Sequence, residues 1–254
     1  MPFATVASHR IEYERIGIAR DHLPTLVFLH EGLGSIAMWR DFPERVAQAT
    51  NCDVVVPSRY GYGNSNPLAE PRSARYMHNE ALIALPEFLD QLRIDRPILI
   101  GHSDGGSIAL IHAGAAARPV TAVVTLAAHV MVEEVSIASI AAAKTTYETT
   151  NLRARLARHH ADVDSAFWGW NRIWLAPEFR DWNIEEYLPH ITCPVLAIQG
   201  EDDEYGTMEQ MRRIGAQIAD VELLEIENCR HSPHIDQPEA VLAAVTRFVG
   251  RIAK

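Results

Sequence analysis

The sequence predicts an α/β protein: a mostly parallel, doubly wound sheet with one helical insertion. Three observations carry this. Short apolar runs rich in β-formers alternate with stretches of helical spacing. Most runs are continuously apolar, as strands covered on both faces are. Between about Val130 and Leu188 the rhythm stops, and the chain reads as helix without a clear strand. The 254 residues are enough for one large domain with a sizeable core. The predicted organisation is therefore a core of residues 1–129 and 189–254 with a helical cap, residues 130–188, inserted in it.

The elements follow in order. Arg10 to Ile16 alternates with period two and predicts a half-exposed antiparallel strand. Thr25 to Leu29 and Val54 to Val56 predict buried parallel strands. Met38, Phe42 and Val46 have helical spacing. So do Leu82, Leu85 and Leu89, where Pro86 predicts a kink or a restart. Further strands are predicted at Pro97 to Ile100, Ala122 to Leu126, Pro194 to Ile198 and Val221 to Ile226. The last helix starts near Pro238 and places Val241, Leu242, Val245, Phe248 and Val249 on one face. Four of the five tryptophans fall in the insertion, where Phe167, Trp170 and Trp174 share a helix face. That face predicts packing within the cap, with Trp170 and Trp174 as candidates to line an apolar substrate pocket.

Composition bounds the partners. Hydrophobic residues make up 48% and charged residues 22%, and the formal net charge is −10. The acidic balance argues against nucleic acid and anionic membrane surfaces. No apolar run approaches a membrane span, and the start lacks a secretory pattern. Cys52, Cys193 and Cys229 are odd in number and widely spaced, which fits neither a disulfide framework nor a metal site. They read as reduced structural cysteines of a cytoplasmic protein. A small molecule is the expected partner, no cofactor or metal is expected, and a homo-oligomer is left open.

The chemistry is concentrated in Gly101-His102-Ser103-Asp104-Gly105-Gly106. This is G-x-S-x-G between a predicted strand and a helix of small and apolar residues. Such a turn holds its serine strained and exposed, and the glycines let strand and helix approach. A serine nucleophile needs a base, and the base an orienting acid. Two later segments each follow a predicted strand: Gln199 to Glu204, with Asp202 and Asp203, and Asn228 to His234, with His231 and His234.

Strand, elbow, acid and histidine in this order resemble the α/β-hydrolase superfamily over nearly the whole chain. The resemblance implies an eight-stranded sheet and a triad of Ser103, Asp203 and His231. Asp202 is the runner-up acid. His231, with Asp236 and Pro238 after it, fits the family's spacing better than His234 does. His30-Glu31-Gly32-Leu33-Gly34 resembles the H-G-G-x-G loop of related hydrolases, with Glu31 in place of the first glycine. It implies an oxyanion hole built from the backbone N–H of Gly32 or Leu33 and that of Asp104. Arg59 to Ser65 resembles the superfamily's R-G-x-G-x-S loop and reads as structural. His102 reads as packing or capping, and the Asp104 carboxylate as bonding near its own helix start.

The implied activity is acyl transfer without cofactor or metal, as in a carboxylesterase (EC 3.1) acting on a small, partly apolar ester. A C–C bond hydrolase of the meta-cleavage type would use the same triad. Aminopeptidase, lactonase and thioesterase chemistry shares the framework, and a non-catalytic ligand-binding protein could keep the fold.

Overall fold

A computed structural model describes residues 1–20, 22–116 and 118–253. Its frame is the eight-stranded sheet expected. The strands are β1 (Phe3–Val6), β2 (His9–Ile16), β3 (Thr25–Leu29), β4 (Asp53–Pro57), β5 (Pro97–His102), β6 (Ala122–Leu126), β7 (Val195–Gly200) and β8 (Val221–Ile226). They lie in the order β1-β2-β4-β3-β5-β6-β7-β8. β1, β2 and β4 pair antiparallel; from β4 through β3 to β8 every pair is parallel.

The continuous apolar runs are explained by two cores, one on each face. Along the strands, Val27, Leu29, Val55, Leu99 and Val123 point to one face, while Leu26, Phe28, Val54, Val56, Ile98 and Ile100 point to the other. The second face is covered by α1 (Phe42–Thr50) and α10 (Pro238–Ile252), which also pack on each other. The first is covered by α3 (Leu85–Gln91), α4 (Asp104–Ala115) and α8 (Glu209–Gln217). Helix α4 is buried on every side from Asp104 to Gly114, so its small residues let neighbours close in. A Cβ on Gly106 would press on Ala128, and one on Gly114 would collide with the carbonyl of Tyr187.

One strand was not predicted, one predicted helix is two elements, and the break expected at Pro86 is present. β1 is a short edge strand that a four-residue run did not announce. The stretch around Met38 and Phe42 is two elements. A 3₁₀ turn at Ile36–Trp39 ends at Arg40, which has φ 55°, and α1 restarts behind Pro43. Around Pro86 the chain runs through α2 (Tyr76–Asn79), a π-helical segment (Glu80–Ala84) and α3. The proline sits in the first turn of α3, and the Ala81 carbonyl of the preceding turn accepts from His112 Nδ1 at 2.7 Å instead.

Between β6 and β7 the described chain is helical. It contains α5 (Glu134–Thr149), α6 (Leu152–Leu156), α7 (Val163–Trp174) and 3₁₀ turns at Pro177–Phe179 and Glu185–His190. One isolated bridge, Met131 with Asn183, ties its two ends. The Asp162 carboxylate caps α7 by accepting from the Ser165 N–H. Short α9 (Pro233–Asp236) precedes α10.

Candidate active site

The site lies where β3, β5, β7 and β8 end at the carboxyl edge of the sheet. β5 runs directly into α4 through Ser103, whose φ of 51° and ψ of −118° lie in a region costly for a residue with a side chain. The Ser103 N–H donates to the Leu126 carbonyl at 2.8 Å, which locks the turn to β6. Gly105 is required here, because a Cβ would collide with the carbonyl of Leu29. The crossing of strand and helix is thus closed by backbone against backbone.

Three of the residues expected from sequence meet at this edge. Ser103 Oγ is 3.0 Å from His231 Nε2, and His231 Nδ1 is 2.8 Å from Asp203 Oδ1. Asp203 is also held by the N–H groups of Tyr205 at 2.8 Å and Gly206 at 3.3 Å, and by the Gln199 amide at 3.1 Å. Burial alone would raise its pKa. The facing His231 and the Tyr205 N–H outweigh burial and hold it below the usual carboxylate value. An ionised Asp203 only accepts, so His231 carries its proton on Nδ1 and offers a lone pair to Ser103. The two runners-up stand elsewhere. Asp202 is exposed. His234 is buried against Trp39, Phe42 and His102, and burial with the neighbouring His102 pushes its pKa down to about 3.

The loop after β3 is set by its carbonyls. The Glu31 carbonyl accepts from His30 Nδ1 at 2.7 Å, the Gly34 N–H at 3.1 Å and Arg59 Nη2 at 3.1 Å. The Leu33 carbonyl faces His160 Nε2 at 3.0 Å, and Leu33 itself has φ 67°. Both carbonyls are taken, while no hydrogen bond among the described residues is donated by the N–H of Gly32, Leu33 or Asp104. Those three donors are the ones the sequence pointed to.

The helical segment sits on this loop. A Cβ on Gly32 would collide with the indole of Trp170, whose Cδ1–Nε1 edge lies against the glycine. Trp174 donates from Nε1 to the Tyr76 hydroxyl at 3.1 Å and packs edge-on to His129. His129 in turn lies 5.6 Å from the His231 ring, and Tyr205 4.7 Å from it. Phe167, which shares their helix face, turns inward and stacks on Tyr147. With these aromatic neighbours Ser103 is only 6% exposed.

Two features were beyond reach of the sequence. His102 does more than pack: its Nδ1 is 3.2 Å from Glu31 Oε2, and its Nε2 is 2.7 Å from the His231 carbonyl. The residue that replaces a loop glycine therefore links that loop to the elbow and to the histidine loop. The one signal was a pair of polar residues, Glu31 and His102, in two neighbouring motifs. The Asp104 carboxylate does not bond at its helix start. It turns to accept from the Tyr76 hydroxyl at 2.7 Å, with Arg59 Nη2 at 3.6 Å. Its charge is thereby directed to partners other than the three free N–H groups.

Among the described residues no group of three or more His, Cys, Asp or Glu side chains is arranged to hold a metal ion. No helix among them is long and apolar enough to cross a membrane.

Comparison with known proteins agrees with this architecture. A model of the Alpha/beta hydrolase family matches residues 26–244. A proline iminopeptidase of Lactobacillus delbrueckii subsp. lactis is 31% identical over 97 residues, covering 38% of this chain and 33% of that protein. The match thus spans about a third of the length of such curated relatives. Among solved structures, a carboxylesterase of the thaumarchaeon Nitrososphaera gargenis superposes with a TM-score of 0.80 at 21% identity, over 99% of this chain and 98% of that one. A proline iminopeptidase of Mycobacterium smegmatis gives 0.73 at 20% identity over 99% of each chain. At such identities the likeness is one of fold.

Proposed function

Because the chain belongs to the alpha/beta hydrolase family, we propose that it is a serine hydrolase acting through Ser103, His231 and Asp203 on a small, partly apolar carboxylic ester. The single observation that carries this reading is the unbroken line from Ser103 Oγ to His231 Nε2 and from His231 Nδ1 to Asp203 Oδ1. It supplies a nucleophile, a base in the right tautomer and a charged acid to stabilise the imidazolium that forms.

In the proposed cycle, Ser103 Oγ attacks the ester carbonyl and His231 takes its proton. The oxyanion is received by the backbone N–H of Asp104 with that of Gly32 or Leu33. Fixed donors of this kind contribute roughly 3–4 kcal/mol to the transition state. His231 then protonates the leaving alcohol, and the same base activates the water that releases the acid. The aromatic walls of Trp170, Trp174, His129 and Tyr205 favour a partly apolar substrate. Residues 130–188 are assigned as a cap on the core formed by 1–129 and 189–254. With Trp170 resting on Gly32, the substrate enters when this cap shifts.

The test is intact-mass measurement after exposure to a fluorophosphonate. One adduct on the protein and none on Ser103→Ala is expected. Ester turnover lost in the same variant, set beside turnover of a dienoate, then separates ester from C–C bond chemistry. No adduct on either protein would sink the proposal.

A further inference from the structure

Beside the elbow, the chain keeps buried polar groups that the proposed hydrolysis does not use. They line a cavity of about 570 Å³ whose wall includes Arg59, Arg72 and Tyr76 but neither Ser103 nor His231. Two guanidiniums stand in that wall. Arg59 is 3% exposed, and the side chain of Arg72 is 4% exposed.

Each arginine has one good partner. Arg59 Nη2 donates to the Glu31 carbonyl at 3.1 Å, and Arg72 Nη2 to the Tyr60 carbonyl at 2.8 Å. Their nearest carboxylates fall short of hydrogen bonding, with Asp104 at 3.6 Å from Arg59 and Glu80 at 3.8 Å from Arg72. Arg59 Nε and Nη1, Arg72 Nε and the Tyr62 hydroxyl are buried and have no partner among the described residues. These groups share one region, because both guanidiniums lie over the Tyr62 ring, 5.0 Å and 4.9 Å from its centroid.

Buried charged donors without acceptors are costly, so a cluster of them marks a place where an acceptor belongs. A carboxylate fits best. Its two oxygens match the planar fork of a guanidinium, which a single water cannot do. Asp104, Glu80 and Glu70 stand close by and disfavour a second negative charge, which favours a monocarboxylate over a phosphate ester. The rest of the wall is largely apolar, with Leu29, Leu85, Phe88 and Ile108. The volume suits a small organic ligand.

We propose that this cavity binds a small apolar monocarboxylate, with its anionic end on Arg59 and Arg72 and its hydrocarbon body along Leu29, Phe88 and Ile108. The site stands apart from Ser103 and does not depend on the hydrolase reading.

The test is calorimetric titration with hexanoate, hexanol and hexyl phosphate. Hexanoate should bind at a single site, and hexanol about tenfold or more weaker, the loss expected of a charge-assisted hydrogen bond. Hexyl phosphate should bind more weakly than hexanoate. Arg72→Met removes donors from the site, and Ala84→Phe fills the cavity while leaving both arginines. Each should weaken hexanoate about tenfold or more, whereas Ser103→Ala should leave it unchanged. Thermal melting checks that the variants fold, and Ala84→Phe decides the matter if Arg72→Met does not. Hexanoate that fails to bind at millimolar concentration, binds no better than hexanol or hexyl phosphate, survives Ala84→Phe, or is lost in Ser103→Ala would overturn the proposal.

Discussion

His102 presents a proton inventory with one solution. Both of its ring nitrogens face acceptors, Glu31 Oε2 and the His231 carbonyl, and a neutral imidazole has only one N–H to give. The ring is therefore an imidazolium over an ionised Glu31. Burial would lower the pKa of His102, but the hydrogen bond and charge of Glu31, then the His231 carbonyl, raise it above 6.5. Burial would raise that of Glu31, but the His102 hydrogen bond and charge bring it from 4.5 to about 2. The pair's contribution to stability is complete between pH 4.5 and 6.5. It fades as pH rises through the raised His102 value, and as pH falls toward about 2. Glu31→Gln keeps the geometry without the charge, because its amide donates to a neutral Nδ1 while Nε2 still donates to the carbonyl. Thermal melting across pH should show the alkaline decline of the parent protein flattened in Glu31→Gln; parallel curves would refute an imidazolium. At Asp203 the asparagine variant has the opposite effect. Its amide would donate to Nδ1 and force the proton onto Nε2, facing Ser103. Turnover of an ester should fall by about 10³- to 10⁴-fold with KM little changed.

At the scale of elements, the elbow and the helical insertion hold the site by different means. Helix α4 meets the ends of β3 and β5 backbone to backbone, with Gly105 against the Leu29 carbonyl and Gly101 against the Gly105 carbonyl, so Gly105→Val has no relaxed form. It should abolish folding rather than tune activity, as read by loss of the cooperative melt. Helix α7 holds the loop after β3 through side chains alone: Trp170 lies against Gly32, while the neighbouring His160 faces the Leu33 carbonyl. Trp170→Ala should cost about 3–5 kcal/mol in urea unfolding, as large buried truncations do. It should also speed labelling by a bulky fluorophosphonate, because the space above Gly32 opens. Slower labelling would place the ring's role elsewhere. The strands of the parallel sheet were legible because strands covered on both faces need continuous apolar runs, and α10 because one face only is buried. β1 and the break at Arg40 were not. A four-residue edge strand has no pattern of its own, and a reversal of φ at one residue leaves helical spacing on either side intact.

The whole molecule combines a sheet held by backbone ladders with an insertion joined to it mainly through side chains. A direct backbone bond from the insertion runs from the Ala161 N–H to the Gly63 carbonyl at 2.8 Å, and further ties pass through side chains, such as Trp174 Nε1 to the Tyr76 hydroxyl and Ser136 Oγ to the Tyr205 carbonyl. Amides of Val163–Trp174 should therefore exchange with deuterium faster than those of Pro97–His102, and slow once Ser103 is labelled. Equal protection before labelling would contradict the proposed movement of residues 130–188. The sequence by itself determined the parallel part of the sheet and singled out Ser103, Asp203 and His231, which the fold brings together. Hydrophobic periodicity is local, and the strained turn demands its glycines within a few residues. Only the tertiary structure decided that Glu31 meets His102, that Asp104 turns to Tyr76, and that Trp170 covers Gly32. Each joins residues far apart in the chain, so the contact depends on how strands and helices are stacked and leaves no trace in either segment alone.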